Sequence, residues 1–246
     1  MQNKPLKAVQ MPRPPALPRK YAARSLPQGQ LEAFGRYGQL SLAREQWIGQ
    51  SAERLSFEQT LFKQVSLHTT ELAHAQMNDC RCLECDFANA HWFQPDFARV
   101  EFINCRLTGF HAIEARLQDV LFKDCQASLV QWRFATFKTA RFEHCDFSDA
   151  DFQGADLSGA VFVDCDLSRA EMSGVKLVGA DLRGCVLDGL HAGWRELQGA
   201  TIDPSQALAM VQAFGITIEW PENSSQGDAG DKAALSFSPN SPLNHP

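Results

Sequence analysis

No stretch of this 246-residue chain approaches the roughly 18 to 20 consecutive apolar residues that a membrane-spanning helix needs, so no membrane insertion is expected. The N-terminal MQNKPLKAVQMPRPPALPRK is basic but lacks an apolar run long enough for a signal peptide. A cytoplasmic location is therefore expected, where thiols stay reduced. Positive charge is in short supply: 23 Lys and Arg against 29 Asp and Glu leave a net charge of −6. That balance argues against direct nucleic-acid binding. Catalytic signatures are missing too. No nucleophile with a neighbouring base, no carboxylate pair and no phosphate-binding loop stands out.

What charge there is lies unevenly. Residues 1–54 hold nine Lys/Arg against three Asp/Glu, and residues 143–188 hold three Lys/Arg against ten Asp/Glu. Residues 1–28, with PRPPALPRK, and residues 221–246, with ENSSQGDAG and SPNSPLNHP, are rich in Pro, Gly, Ser and Asn. Such segments bury too little apolar surface to offset ordering, and both are expected to be disordered, the first as a basic Pro-rich arm.

Eight cysteines are present, and six of them, Cys85, Cys105, Cys125, Cys145, Cys165 and Cys185, stand twenty residues apart. A finer period underlies that interval. Every fifth residue from Phe57 to Ile202 is apolar, and twenty-one of these thirty centres are Leu or Phe. Two residues before each centre stands a smaller apolar residue, mostly Ala, Cys or Val. In an extended chain, residues two apart point to the same side. The centre and its smaller companion therefore point inward, the residue between them points outward, and the remaining two turn a corner. A type II turn wants φ > 0 at its second central residue, which favours Gly or Asn. Eight of the nine glycines between residues 57 and 202 fall at that corner, with Asn89 and Asn104. Unbroken self-similarity of this kind marks a repeat architecture.

The motifs ADFQG, ADLSG, CDLSR and ADLRG resemble those of the pentapeptide-repeat family, whose signature is Ala-Asp/Asn-Leu-x-x. The resemblance covers residues 55–202 and loosens before about residue 140, where FANAHWFQPDF and FHAIEARLQDV depart from the signature. It implies an all-β fold, a right-handed quadrilateral β-helix (β-solenoid) of about seven coils, each coil having four five-residue sides. Some members of the family bind DNA gyrase or topoisomerase as duplex mimics, and the known gyrase binders dimerise through a C-terminal module.

An open stack needs end caps. Residues 29–54 are expected to cap the N-terminal end, as a short helix or a first strand. Residues 203–220 are expected to close the other end with a helix and a strand. In DPSQALAMVQAFG, Asp203 reads as N-cap, Pro204 as the first helical residue and Gly215 as the stop. Leu208, Val211 and Gly215 would share one face, with Ala207 and Phe214 beside it, and ITIEW would return as a strand. The helix is also a candidate homodimer contact.

Four groups of residues invite a chemical reading. CRCLEC (Cys80, Cys82, Cys85) has metal-like spacing, but the frame puts all three inside, so neither a metal nor a cofactor is expected. His91 and His111 stack on adjacent coils of one outward column, too few for a structural zinc site. Phe93, Ile113 and Phe134 make an apolar corner stripe in three successive coils; such stripes mark interfaces, and with His91 and His111 they form the candidate interaction surface. Asp146, Asp151, Asp156, Asp166, Glu171 and Asp181 all point outward as an acidic surface. A filled, convex rod offers no pocket for catalysis. The expected function is thus a non-enzymatic protein-interaction scaffold with an unidentified protein partner, or alternatively a topoisomerase-binding DNA mimic.

Overall fold

The structure, a computed structural model, describes residues 10–21, 29–213 and 215–219. The five-residue frame appears directly in the backbone. Every fifth residue from Phe34 to Gly189 has a positive φ, whether it is Gly, Asn, Asp, Arg or Phe. The corners therefore turn as the frame requires, and non-glycine residues accept the left-handed conformation where coil-to-coil bonding holds it.

Among the described residues twelve strands form, all paired in parallel at a register of twenty residues. They are β1 (Arg36–Gly38), β2 (Ser41–Ala43), β3 (Ser51–Glu53), β4 (Ser56–Glu58), β5 (Leu61–Lys63) and β6 (Glu71–Ala73), followed by β7 (Gln76–Leu83), β8 (His91–Phe93), β9 (Asp96–Ile103), β10 (Arg116–Lys123), β11 (Thr136–Glu143) and β12 (Val161–Val163). Nine belong to one sheet and β3, β6 and β8 to a second. Single bridges such as Asp86↔Arg106 and Asp151↔Glu171 extend the pairing along four sides. The result is a four-sided parallel β-solenoid.

The repeat starts earlier than residue 55. β1, β2 and β3 pair with β4, β5 and β6, so residues 36–53 form a coil rather than a capping helix. The interior is filled. Phe102, Phe122, Phe142 and Phe162 stack face to face down one wall, at ring separations of 4.6, 5.5 and 4.5 Å. Trp92 turns its indole N–H to Thr70 Oγ1 at 3.0 Å, which satisfies a donor that burial would otherwise strand.

The C-terminal end is closed by helix α1 (Pro204–Ala213). Asp203 and Gln206 form a reciprocal capping box. Gln206 N donates to Asp203 Oδ1 at 3.0 Å, and Asp203 N donates to Gln206 Oε1 at 2.8 Å. The Gln206 amide then reaches inward, donating to the carbonyls of Leu182 and Cys185, both at 2.7 Å. A polar side chain thus seats the helix on the last coil. The helix turns Gln206, Ala207, Met210 and Val211 toward the rod, whereas Leu208 and Gly215 face solvent. The expected face through Leu208, Val211 and Gly215 is therefore not the packed one; Phe214 lies outside the described residues. Residues 216–219 are irregular rather than a strand, and the segment 221–246 lies outside the described residues.

The proline-rich arm also departs from expectation. Residues 10–21 do not wander but lie against the rod, with Pro15 buried and Pro12 and Pro18 half-buried. Arg13 reaches Asp119, and Ala16 N reaches Asp79 at 2.9 Å. Residues 1–9 and 22–28 lie outside the described residues.

Candidate functional site

The outward column Glu71, His91, His111, Gln131, Asp151, Glu171, His191 runs down one side of the rod. His91 and His111 stand at a ring separation of 4.1 Å, on the strand β8 and on the bridge one coil further on. Burial lowers the His111 pKa, and the neighbouring His91 and Arg133 add to the effect. Among the described residues, no group of three or more His, Cys, Asp or Glu side chains is placed to hold a metal ion.

The apolar corner residues flank this column. Phe93 is 49% exposed, with its ring edge-on to His74 at 5.8 Å, and Phe134 is 58% exposed. Ile113 is half-buried between them. Phe134 lies over Gly154, where an added Cβ would meet its ring at 2.6 Å. The opposite edge of the same side carries Leu129, 55% exposed, which the sequence reading passed over. Its signal was available: a large apolar side chain at a corner that calls for φ > 0. Leu129 (φ 58°) and Phe134 (φ 57°) both hold the left-handed conformation, which costs a bulky L-residue about 1–2 kcal/mol. Every corner shares that conformation, so what sets Leu129 and Phe134 apart is that a large apolar side chain stands exposed there.

The six outward carboxylates are not one wall. Asp146 and Asp166 share one bridge column, Asp151 and Glu171 a second, Asp156 a third and Asp181 a fourth, so they cover all four sides. Each accepts the backbone N–H two residues ahead, at 2.8–3.2 Å: Ser148, Gln153, Ser158, Ser168, Ser173 and Arg183. This side-chain turn closes the corner from outside. Several also hold a cation, as in Asp181–Arg183 at 2.6 Å and Lys176–Asp156 at 3.6 Å. Turn closure accounts for these acids before any partner is invoked.

The cysteines are likewise structural in their placement. All eight are free and buried. Cys105 Sγ lies 3.5 Å from the carbonyls of Cys82 and Ile103, and Cys125 Sγ 3.4 Å from that of Phe102. Burial pushes the Cys80 thiol up to about 12 and Cys82 well above its ordinary value, which keeps both protonated and unreactive.

Filled coils, an unbroken five-residue corner frame and twenty-residue parallel pairing define a class, the four-sided β-solenoid of pentapeptide repeats. Comparison with known families agrees with this. The pentapeptide repeat region family matches residues 75–143 and 95–167, and the family of pentapeptide repeats in eight copies matches residues 150–189. The chain belongs to the pentapeptide-repeat proteins. No curated protein sequence matches it. Among solved structures, trypsin-treated QnrB1, a plasmid-mediated fluoroquinolone resistance protein, is 17% identical with a TM-score of 0.42, over 79% of this chain and 96% of that one. HetL of the cyanobacterium Nostoc, involved in heterocyst differentiation regulation, is 18% identical with a TM-score of 0.25, over 70% of this chain and 91% of that one.

Proposed function

We propose that this protein acts without catalysis, as a rigid scaffold that binds another protein on the side bearing His91, His111 and Gln131. The observation that carries this reading is the pair of exposed apolar corners, Leu129 and Phe134, at the two edges of that side. With Phe93 they place three large exposed apolar side chains around one side of the rod, and apolar side chains grouped in this way on a surface mark interaction sites. The filled interior supports the non-enzymatic reading, since it leaves reacting groups no enclosed pocket. Partner capture from cell extract with the native protein, set beside a Phe93→Ser, Phe134→Ser variant, tests the assignment. Loss of the captured protein with an unchanged far-UV spectrum is expected; equal capture by both chains refutes it.

A topoisomerase-binding DNA mimic is the competing reading. Carboxylates spread over four sides and engaged in turn closure weigh against it. A gyrase supercoiling assay at micromolar protein separates the two readings, with no effect expected. The C-terminal end also supports a homodimer contact. A groove of about 490 Å³ lies between the last coil and α1, lined by Leu187, Leu190, Leu197 and Met210, and Trp194 stands exposed on the same end of the rod.

A further inference from the structure

In β7, β9, β10 and β11 the corner does not interrupt the strand, and eight residues run continuously across it. These four successive coils present the corner residues Asp79, Arg99, Asp119 and Thr139 in line, with Gln59 one coil before them. Residues 12–18 cross that line. Asp79 and Asp119 are left only 8% and 3% exposed, whereas corner carboxylates that the arm does not cover, such as Asp149 and Asp164, stay exposed.

The contacts are those of peptide recognition. Arg13 donates from Nε and Nη2 to Asp119 Oδ2 at 2.8 and 2.6 Å, and its backbone N–H approaches Oδ1 at 3.4 Å. Ala16 N donates to Asp79 Oδ1 at 2.9 Å, and Gln59 Nε2 donates to the Ala16 carbonyl at 3.1 Å. Leu17 N turns back to the Pro15 carbonyl at 3.0 Å. Every N–H of the segment from Pro12 to Pro18 is therefore paired, because the four prolines have none to offer. Arg99 holds the Asp79 carboxylate in place through two bonds, of 2.6 and 2.7 Å.

The pitch matches as well. Burial falls on Pro12 and Pro15, three residues apart, which is the period of a polyproline II helix, and then on Leu17 and Pro18 beyond the turn at Ala16. Such a helix rises about 9.3 Å in three residues. Asp119 and Asp79 are two coils apart, about 9.6 Å at the usual strand spacing. An extended proline-rich chain can thus place the N–H groups of residues i and i+3 on carboxylates two coils apart without strain.

We propose that the Gln59–Asp79–Arg99–Asp119 corner is a recognition groove for an extended, proline-rich peptide carrying one arginine, and that residues 12–18 are its resident occupant in cis. The fit itself identifies the occupant, since the segment satisfies both buried carboxylates and all its own backbone donors. Tethering keeps the arm at an effective concentration on the order of millimolar, so a free peptide competes only when the arm is weakened.

The test uses the full chain and a labelled peptide of residues 10–21, followed by fluorescence anisotropy. Arg13→Glu places a carboxylate against Asp119 and should release the arm. That variant should bind the peptide saturably and at least tenfold more tightly than the wild-type chain. Adding Asp119→Asn to it should weaken peptide binding at least tenfold, and a peptide with Glu in place of its first Arg should not bind. Equal binding by wild type and Arg13→Glu, absence of saturable binding by Arg13→Glu, or indifference to Asp119→Asn overturns the proposal. Hydrogen exchange in the wild-type chain gives a second reading that needs no variant. Slow exchange at the Arg13 and Ala16 amides is expected, and free exchange there refutes cis occupancy.

Discussion

Gln206 is the residue on which the C-terminal cap most depends, and its replacement by leucine gives a quantitative test. The amide nitrogen serves two carbonyls of the last coil, Leu182 O and Cys185 O, while the amide oxygen completes the capping box with Asp203. Leucine keeps most of the volume and removes every bond of the side chain, leaving the backbone N–H on Asp203. A buried acceptor left without a donor costs about 1–3 kcal/mol, and the lost capping bond adds about 1 kcal/mol. Because the end of the rod admits water, the two carbonyls together are counted as one stranded acceptor, and the expected loss is about 2–4 kcal/mol. The loss should be local, since neighbouring coils of a solenoid hold each other and not the far end. The assay is native-state hydrogen exchange read on peptides spanning residues 181–213. Opening there should become about 30-fold to several-hundred-fold more frequent in Gln206→Leu, as 1.36 kcal/mol corresponds to tenfold. Peptides from 95–145 should be unchanged. Exchange within threefold of wild type at 181–213 would show that water or another donor already serves those carbonyls, and the capping argument would fail.

Other expectations follow from the same geometry. Phe142→Ala removes a fully buried ring between Phe122 and Phe162, and should cost about 3–5 kcal/mol in urea denaturation; a loss below 1 kcal/mol would contradict the packing described. All eight thiols are buried, so a thiol reagent should label none in the native chain and all eight after denaturation. Burial works to raise the Asp119 carboxyl, but the bonds from Arg13 outweigh it and leave the pKa lowered. The Arg99 guanidinium, with Arg13 nearby, lowers that of Asp79. Groups depressed in the bound state stabilise it above their free value, near 3.9, and lose that contribution as pH falls through the depressed pKa. The Arg13 and Ala16 amides should therefore keep their protection from neutral pH to about 4 and lose it below, while far-UV circular dichroism of the rod persists. Gly154→Ala should strain a backbone at φ 67° and push against the Phe134 ring, so the fluorescence or mobility of that corner should change even where the fold survives.

The β-solenoid was legible because its code is local and repeated. A five-residue period sets which side chains point inward, and any sequence keeping that period for many coils can bury them in only one way. The corner glycines carried the same information in the backbone. The stripe of Phe93 and Phe134 was visible as a violation of that code. Leu129 broke the rule in the same manner, one corner before Phe134, but it lies around the coil from the stripe of Phe93, Ile113 and Phe134 and not along it. The outward acids read as a surface because their direction was correct. Their role in closing turns depends on a carboxylate oxygen meeting an N–H two residues on, which the residue type allows but does not demand.

The frame stretched beyond the recognisable motifs at the N-terminal end for a related reason. Residues 36–53 bear Gln, Arg and Gly at corners and few of the signature Ala-Asp-Leu triplets, yet their backbone joins the ladder because β4, β5 and β6 offer it a template.

By itself, then, the chain's period determined the rod, its filled interior, the buried cysteine column and the side each residue faces. Only the tertiary structure decided that a proline-rich arm lies across the corner carboxylates and that Gln206 closes the last coil. Those contacts join residues 106, 63 and 24 positions apart. They occur once, carry no period, and rest on a match between the rise of an extended chain and the spacing of coils that exists only after the coils have stacked.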